Sequence, residues 1–164
     1  MNNVTLSPSS LGGVRGGLPI LAITMGDPAG IGPEITVRAL NRKETYEKCR
    51  PVVTGDAAIM CQAVQLLGLN LHVNATQNVK DAKFEFGTID VIDLKCVDLT
   101  TFEFGKVQAQ CGNAAFQYIR KAIELAMADE VDGTVTAPLN KEALNLAGHH
   151  YDGHTEIYAT FTNT

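Results

Sequence analysis

Apolar and polar positions along the chain alternate between short apolar runs and longer stretches with helical spacing. The first run, Leu18–Met25, contains no charge and predicts a strand buried on both faces. It ends in Gly26-Asp27-Pro28-Ala29-Gly30-Ile31-Gly32, after which Pro33 and Glu34 open a helix reaching Leu40. Asn41–Arg50 is charged and reads as the end of that helix and its return. Pro51–Thr54 is a strand closed by Gly55, and Asp56 is the N-cap of a helix through Leu67. That helix spaces Ile59, Ala63, Leu66 and Leu67 on one side and stops at Gly68. Leu69–Val73 and Gly87–Leu94 predict two more strands, separated by the polar segment Asn74–Phe86.

Lys95–Gln110 has no clear period. From Gly112 to about Asp129 the positions Ala115, Ile119, Ala122, Ile123 and Ala126 share one helical face. Val131–Thr136 is a strand broken by Ala137-Pro138. Asn140–Ala147 is a short helix stopped by Gly148, His149–Gly153 is a loop, and Thr155–Phe161 begins a last helix. Strands and helices alternate throughout, which predicts an α/β fold with a mainly parallel sheet. Ligands of such sheets sit beyond the C-terminal ends of the strands. Gly26–Pro33 and Thr136–Pro138 both fall at those ends and are expected to line one cleft.

Charge and cysteine usage narrow the partners. The net charge of −5 with no basic cluster argues against nucleic acid. No stretch is long and apolar enough to span a membrane. Residues 1–17 are polar and glycine-rich without an apolar h-region, and read as a flexible tail rather than a secretory signal. Cys49, Cys61, Cys96 and Cys111 form no CxxC pair, so buried free thiols in a reducing cytoplasm are expected.

Two stretches carry chemistry. A glycine-rich turn between a strand and a helix start lets backbone N–H groups face an anion, although an ordinary βα turn also needs small residues. The second stretch, Thr136-Ala137-Pro138-Leu139-Asn140-Lys141 leading into Gly148–Glu156, gathers a lysine, three histidines, the Thr155 hydroxyl and two carboxylates, Asp152 and Glu156. Lys141 offers a point charge for phosphate or carboxylate, or is simply a solvated lysine at a helix start. His154 and Thr155 stand where a new helix presents free N–H groups. His149, His150 and His154 do not read as a metal cluster, because adjacent histidines point apart. His72 reads as a surface or half-buried strand residue, and Glu34 as a helix-end acid.

Together, Thr24–Ile35 (TMGDPAGIGPEI), Gly105–Gln110 (GKVQAQ), Thr136–Gly148 (TAPLNKEALNLAG) and Gly153–Glu156 (GHTE) resemble the 4-hydroxythreonine-4-phosphate dehydrogenase (PdxA) family. The wording of GKVQAQ and TAPLNKEAL is closer to its branch acting on D-threonate or D-erythronate 4-phosphate than to the vitamin B6 branch. The resemblance implies a three-layer α/β/α homodimer, related in fold to isocitrate and isopropylmalate dehydrogenases, with the active site between two domains. It implies NAD and a divalent cation (Zn, Mg, Mn or Co) as cofactors. The implied reaction oxidises the hydroxyl β to a carboxylate, and the β-keto acid then loses carbon dioxide, giving dihydroxyacetone phosphate in the sugar-acid branch. His154 and Thr155 match the family's substrate-binding pair. Gly26, Asp27, Gly30 and Gly32 match its glycine loop without a division between cofactor and substrate.

The family's metal-binding histidines and its remaining substrate residues lie downstream of GHTE, so no metal ligand is expected in this chain. The reading is therefore an N-terminal fragment that does not catalyse by itself. It divides into the tail, a partial first α/β domain over 18–130 and the start of a second domain over 131–164. Its sheet is expected to end in an unpaired, largely apolar edge. A non-catalytic anion-binding or dimerisation module is the alternative of another class.

Overall fold

The computed structural model describes residues 17–163, so residues 1–16 of the expected tail lie outside the described part. Strands β1 (Ile20–Thr24), β2 (Arg50–Gly55), β3 (His72–Thr76), β4 (Thr88–Asp93) and β5 (Gly133–Thr136) form one sheet in the order β3-β4-β2-β1-β5. Every pairing is parallel, with Thr24 in register with Thr54 on one side and Thr136 on the other. The connecting helices are α1 (Gly32–Leu40), α2 (Lys43–Lys48), α3 (Ala57–Leu66), α4 (Ala109–Met127), α5 (Lys141–Leu146) and α6 (His154–Thr162).

Alternation along the strands assigns the two faces. Ile20, Ala22, Val52 and Ile92 pack against Ala122 and Leu125 of α4. Val53, Ile89 and Val91 pack against Val37 and Leu40 of α1 and against Ile59, Met60 and Ala63 of α3. Helices thus cover both faces, as the three-layer expectation required. A third apolar cluster (Phe116, Ile119, Ile123, Leu144 and Ile157) binds α5 and α6 to α4.

Several details differ from the sequence reading. β1 is fully buried on one face only, since Leu21 and Ile23 are half-buried beside the edge strand β5. That edge reads Gly-Thr-Val-Thr rather than apolar, with Val135 its one large apolar side chain, 46% exposed. Asn41–Arg50 contains a separate helix, α2, with no buried residue. β3 begins at His72, three residues later than expected, and takes Asn74 and Thr76 from the polar segment. An edge strand bonded only to β4 tolerates such residues, while Leu69 and Leu71 pack on the core from the preceding turn. The rest of that segment is ordered around buried Asp90, whose carboxylate accepts from Asn74 Nδ2 and from the Lys83 and Phe84 amides.

Asp56 occupies the N-cap position of α3 but does not cap it with its side chain. Its carboxylate instead accepts from the Cys96 and Val97 amides at 2.9 and 2.7 Å, and Asp93 accepts from Ala57 N. The cysteines are free, but only Cys111 is buried and Cys61 is exposed, on the solvent side of α3. No helix among the described residues is long and apolar enough to cross a membrane.

Candidate functional site

The glycine loop leaves β1 at its C-terminal end and is fixed from both sides. Met25 N donates to Thr54 O at 3.0 Å, and Asp27 N to Pro138 O at 2.9 Å. Gly26 has φ +76°, and a Cβ there would collide with Pro138 O. A Cβ on Gly32 would collide with Met25 O. These two glycines are therefore consumed by backbone packing. Gly30 differs: a Cβ would meet only Asp27, at 3.5 Å, an ordinary contact. Within Gly26–Gly32 only Gly30 and Ile31 are exposed, so any ligand reaching this loop meets them. α1 then starts with no side-chain cap, which leaves early amides for an external acceptor.

Asp27 is 5% exposed, and its Oδ1 accepts from Ala29 N at 2.8 Å. Burial pushes its carboxyl above the ordinary value, opposed by the Ala29 and Gly30 amides. Cys111 lies close by, its thiol pushed up to about 11 by burial and then by the Asp27 charge, so it is no nucleophile at neutral pH. Gly105 N donates to Ala29 O at 2.9 Å, laying the GKVQAQ segment against the glycine loop.

The second motif starts where β5 ends. Ala137 N donates to Thr24 O, Ala137 Cβ lies 3.5 Å from where a Gly32 Cβ would stand, and Pro138 O takes the Asp27 amide. Asn140 caps α5 by accepting from Ala143 N at 3.1 Å. His154 opens α6, with Nε2 buried and lacking a hydrogen-bond partner. Burial holds its imidazole below the ordinary histidine range, opposed by the Ala137 backbone. Thr155 is exposed beside it. An open cavity of about 480 Å³ is lined by Thr136, His154, Thr155, Tyr158, Ala159 and Thr162.

Ala137-Pro138 is thus shared: Gly26, Asp27 and Gly32 pack against it, and His154 meets the Ala137 backbone. Lys141, the first residue of α5, is exposed and does not line the cavity. His149 Nε2 meets Asn113 Oδ1 and His150 Nδ1 meets Asn145 Oδ1, so the three histidines turn to different partners. Among the described residues no group of three or more His, Cys, Asp or Glu side chains could hold a metal ion. Sequence reasoning overlooked Tyr158, whose Oη is buried beside Thr134. Its spacing of four from His154 was the available signal.

The histidines carry a pH dependence. Burial depresses His149, with His150 adding to it, and also His154, so the unfolded chain binds more protons than the folded one in mild acid. Their contribution to stability is complete above the ordinary histidine pKa of 6.5 and is lost as pH falls below it. We expect a lower urea midpoint at pH 5.5 than at pH 7.5, with a smaller difference in His149→Phe. Equal midpoints at the two pH values would contradict this assignment.

The family model described as pyridoxal phosphate biosynthetic protein PdxA matches residues 47–164. A Clostridium botulinum protein named "Putative D-threonate 4-phosphate dehydrogenase" is 47% identical over 146 residues, covering 89% of this chain and 44% of that protein. A protein of the same name from Halalkalibacterium halodurans is 50% identical with the same coverage. The solved structure of a 4-hydroxythreonine-4-phosphate dehydrogenase from Burkholderia phymatum superposes with a TM-score of 0.87 at 44% identity, covering 90% of this chain and 44% of its own. This chain spans less than half the length of these relatives.

Proposed function

This chain belongs to the PdxA family, and from that membership we propose that the protein carrying it is an NAD-dependent dehydrogenase of a phosphorylated four-carbon hydroxy acid. D-threonate 4-phosphate is the first candidate, on the names of the relatives, and D-erythronate 4-phosphate the second. The activity is assigned to a longer polypeptide, with this chain as its N-terminal part. In that polypeptide we take 18–130 as part of the first domain and 131–164 as the start of the second, with β5 pairing to β1. A homodimer in the cytoplasm completes the proposal.

The observation that carries it is the shared Ala137-Pro138 joint, which supports the glycine loop and the His154–Thr155 helix start together. A ligand bridging the two would meet Gly30, the uncapped start of α1 and the His154–Thr155 pair. His154, neutral at pH 7, exchanges a hydrogen bond with the substrate, and Thr155 adds a hydroxyl. The Gly26–Gly32 loop, with Asp27 shaping it, faces an anionic group of the cofactor or substrate. Lys141 stays outside this contact set.

In the oxidation, the substrate's C–H bond gives a hydride to NAD and its hydroxyl releases a proton. The β-keto acid formed then loses carbon dioxide. The divalent cation that the family resemblance implies would supply Lewis-acid polarisation of the hydroxyl oxygen. We place its ligands downstream of Gly153–Glu156, as the family resemblance implies.

A second reading, oxidation of 4-hydroxythreonine 4-phosphate, is favoured by the name of the Burkholderia phymatum structure. Both are tested on the full-length protein by NADH absorbance, alongside its intact mass. We expect kcat/KM for D-threonate 4-phosphate at least roughly tenfold above that for 4-hydroxythreonine 4-phosphate, about 1.4 kcal/mol of discrimination. The reverse order supports the second reading. No turnover with any of the three acids, from a native protein of 17.6 kDa, supports the non-catalytic module.

A further inference from the structure

Gly148–Gly153 joins α5 to α6, so its shape decides where His154 and Thr155 stand. Its two end residues are glycines around which an added Cβ meets nothing within 4 Å, and Gly148 has φ +83°. Backbone hydrogen bonds hold the ends, Gly148 N donating to Asn145 O, His149 N to Leu144 O and Ile157 N to Gly153 O, and side chains hold the residues between. His149 lies flat on Phe116 of α4, ring centroids 3.8 Å apart and planes 16° from parallel. Its Nε2 is 3.0 Å from Asn113 Oδ1, so this nitrogen carries the proton and donates. Tyr151 also stacks on Phe116, at 5.7 Å and 19°. Asp152 N donates to Glu156 Oε2 at 2.6 Å, tying the loop's end to the first turn of α6.

Asn113 and Phe116 are three residues apart on α4 and present one surface to the loop. Phe116 is buried and also meets Phe161 from α6, so one ring receives side chains from the loop and from the helix after it. Stacking alone leaves a ring free to turn or slide in its plane. A directional hydrogen bond to Asn113 fixes both motions. An apolar ring at position 149 would still stack, but would leave Asn113 Oδ1 without its donor. The polar pair therefore supplies registration rather than burial. Neither Asn113 nor His149 lines the cavity, so neither can act by touching its contents.

We propose that Asn113 and His149 are positioning residues, which register the Gly148–Gly153 loop on Phe116 and thereby set the His154–Thr155 pair in the ligand cleft. This rests on the reading that His154 and Thr155 contact the substrate.

The test compares KM, kcat and Tm of the full-length protein for His149→Ala, His149→Phe, Asn113→Ala, the double variant His149→Ala/Asn113→Ala, and His154→Ala as reference. With D-threonate 4-phosphate, His149→Ala and Asn113→Ala are each expected to raise KM roughly tenfold with kcat within about twofold, and the double variant to do no worse than either. His149→Phe restores the stack and is expected to recover Tm without recovering KM. A purely structural role predicts that KM follows Tm through the whole set, and that result overturns the proposal. So does a wild-type KM in His149→Ala and Asn113→Ala while His154→Ala is impaired. If His154→Ala itself retains wild-type kinetics, the substrate-site reading fails and the positioning proposal falls with it. Asn113→Ala and His149→Phe keep the test decisive should His149→Ala not fold.

Discussion

A Gly112→Ala variant is expected to be substantially less stable than the wild type, although it places the best helix former inside a helix. Gly112 sits in the first turn of α4, where the backbone of α5 crosses it. A Cβ there would collide with the carbonyl carbon and oxygen of Ala143 and reach 2.5 Å from Leu144 N. None of these atoms can rotate away, because all belong to a helix pinned by the Asn140 cap and by fully buried Leu144. The helices must move apart, which opens the Phe116–Ile119–Leu144–Ile157 cluster. Overpacking of this kind costs about 3 kcal/mol, against a propensity gain of about 1 kcal/mol for alanine over glycine. The net loss is about 2 kcal/mol, or roughly 4–8 °C in Tm for a domain of this size. Gly153→Ala is the control: its backbone is extended and nothing lies within 4 Å, so its Tm is expected to move by less than about 2 °C. Equal Tm values for the two variants would mean that α4 and α5 do not touch backbone to backbone.

Gly112 also illustrates what the sequence makes legible. Its chemistry is visible as a glycine in a helical pattern, yet the reason for it lies 31 residues away in Ala143. The alternation of strands and helices was readable because the central strands β1, β2 and β4 centre on apolar residues and α3 and α4 keep helical spacing, whereas α2, with no buried residue, left no such trace. β3 was misplaced because an edge strand needs apolar residues on fewer sides, so Asn74 and Thr76 hid it. Asp56 looked like an ordinary N-cap, and only the fold brings the Cys96 and Val97 amides to its carboxylate. The two motifs of the candidate site were legible one at a time. Their meeting at Ala137-Pro138 was predictable only as a rule about strand ends. Tyr158 was passed over because a tyrosine in an amphipathic helix reads as core, and indeed its ring packs on the third apolar cluster.

The remaining large effect concerns His154. In the full-length protein, His154→Ala is expected to lower kcat/KM for D-threonate 4-phosphate by roughly 10- to 100-fold, the range of one hydrogen bond to a charged group. Stability is expected to respond in the other direction or not at all. The imidazole is held in a desolvated position at the head of α6, with Nε2 buried and unpartnered and its proton affinity depressed. Removing it relieves an unsatisfied polar atom while giving up some packing, two effects of similar size and opposite sign, each about 1–2 kcal/mol. Tm is therefore expected to stay within about 2 °C of the wild type. A residue kept only to cap or pack α6 would behave differently, losing Tm and activity together. Loss of catalytic efficiency at unchanged Tm identifies His154 as a group whose unsatisfied nitrogen serves a ligand, and loss of both reduces it to a structural histidine.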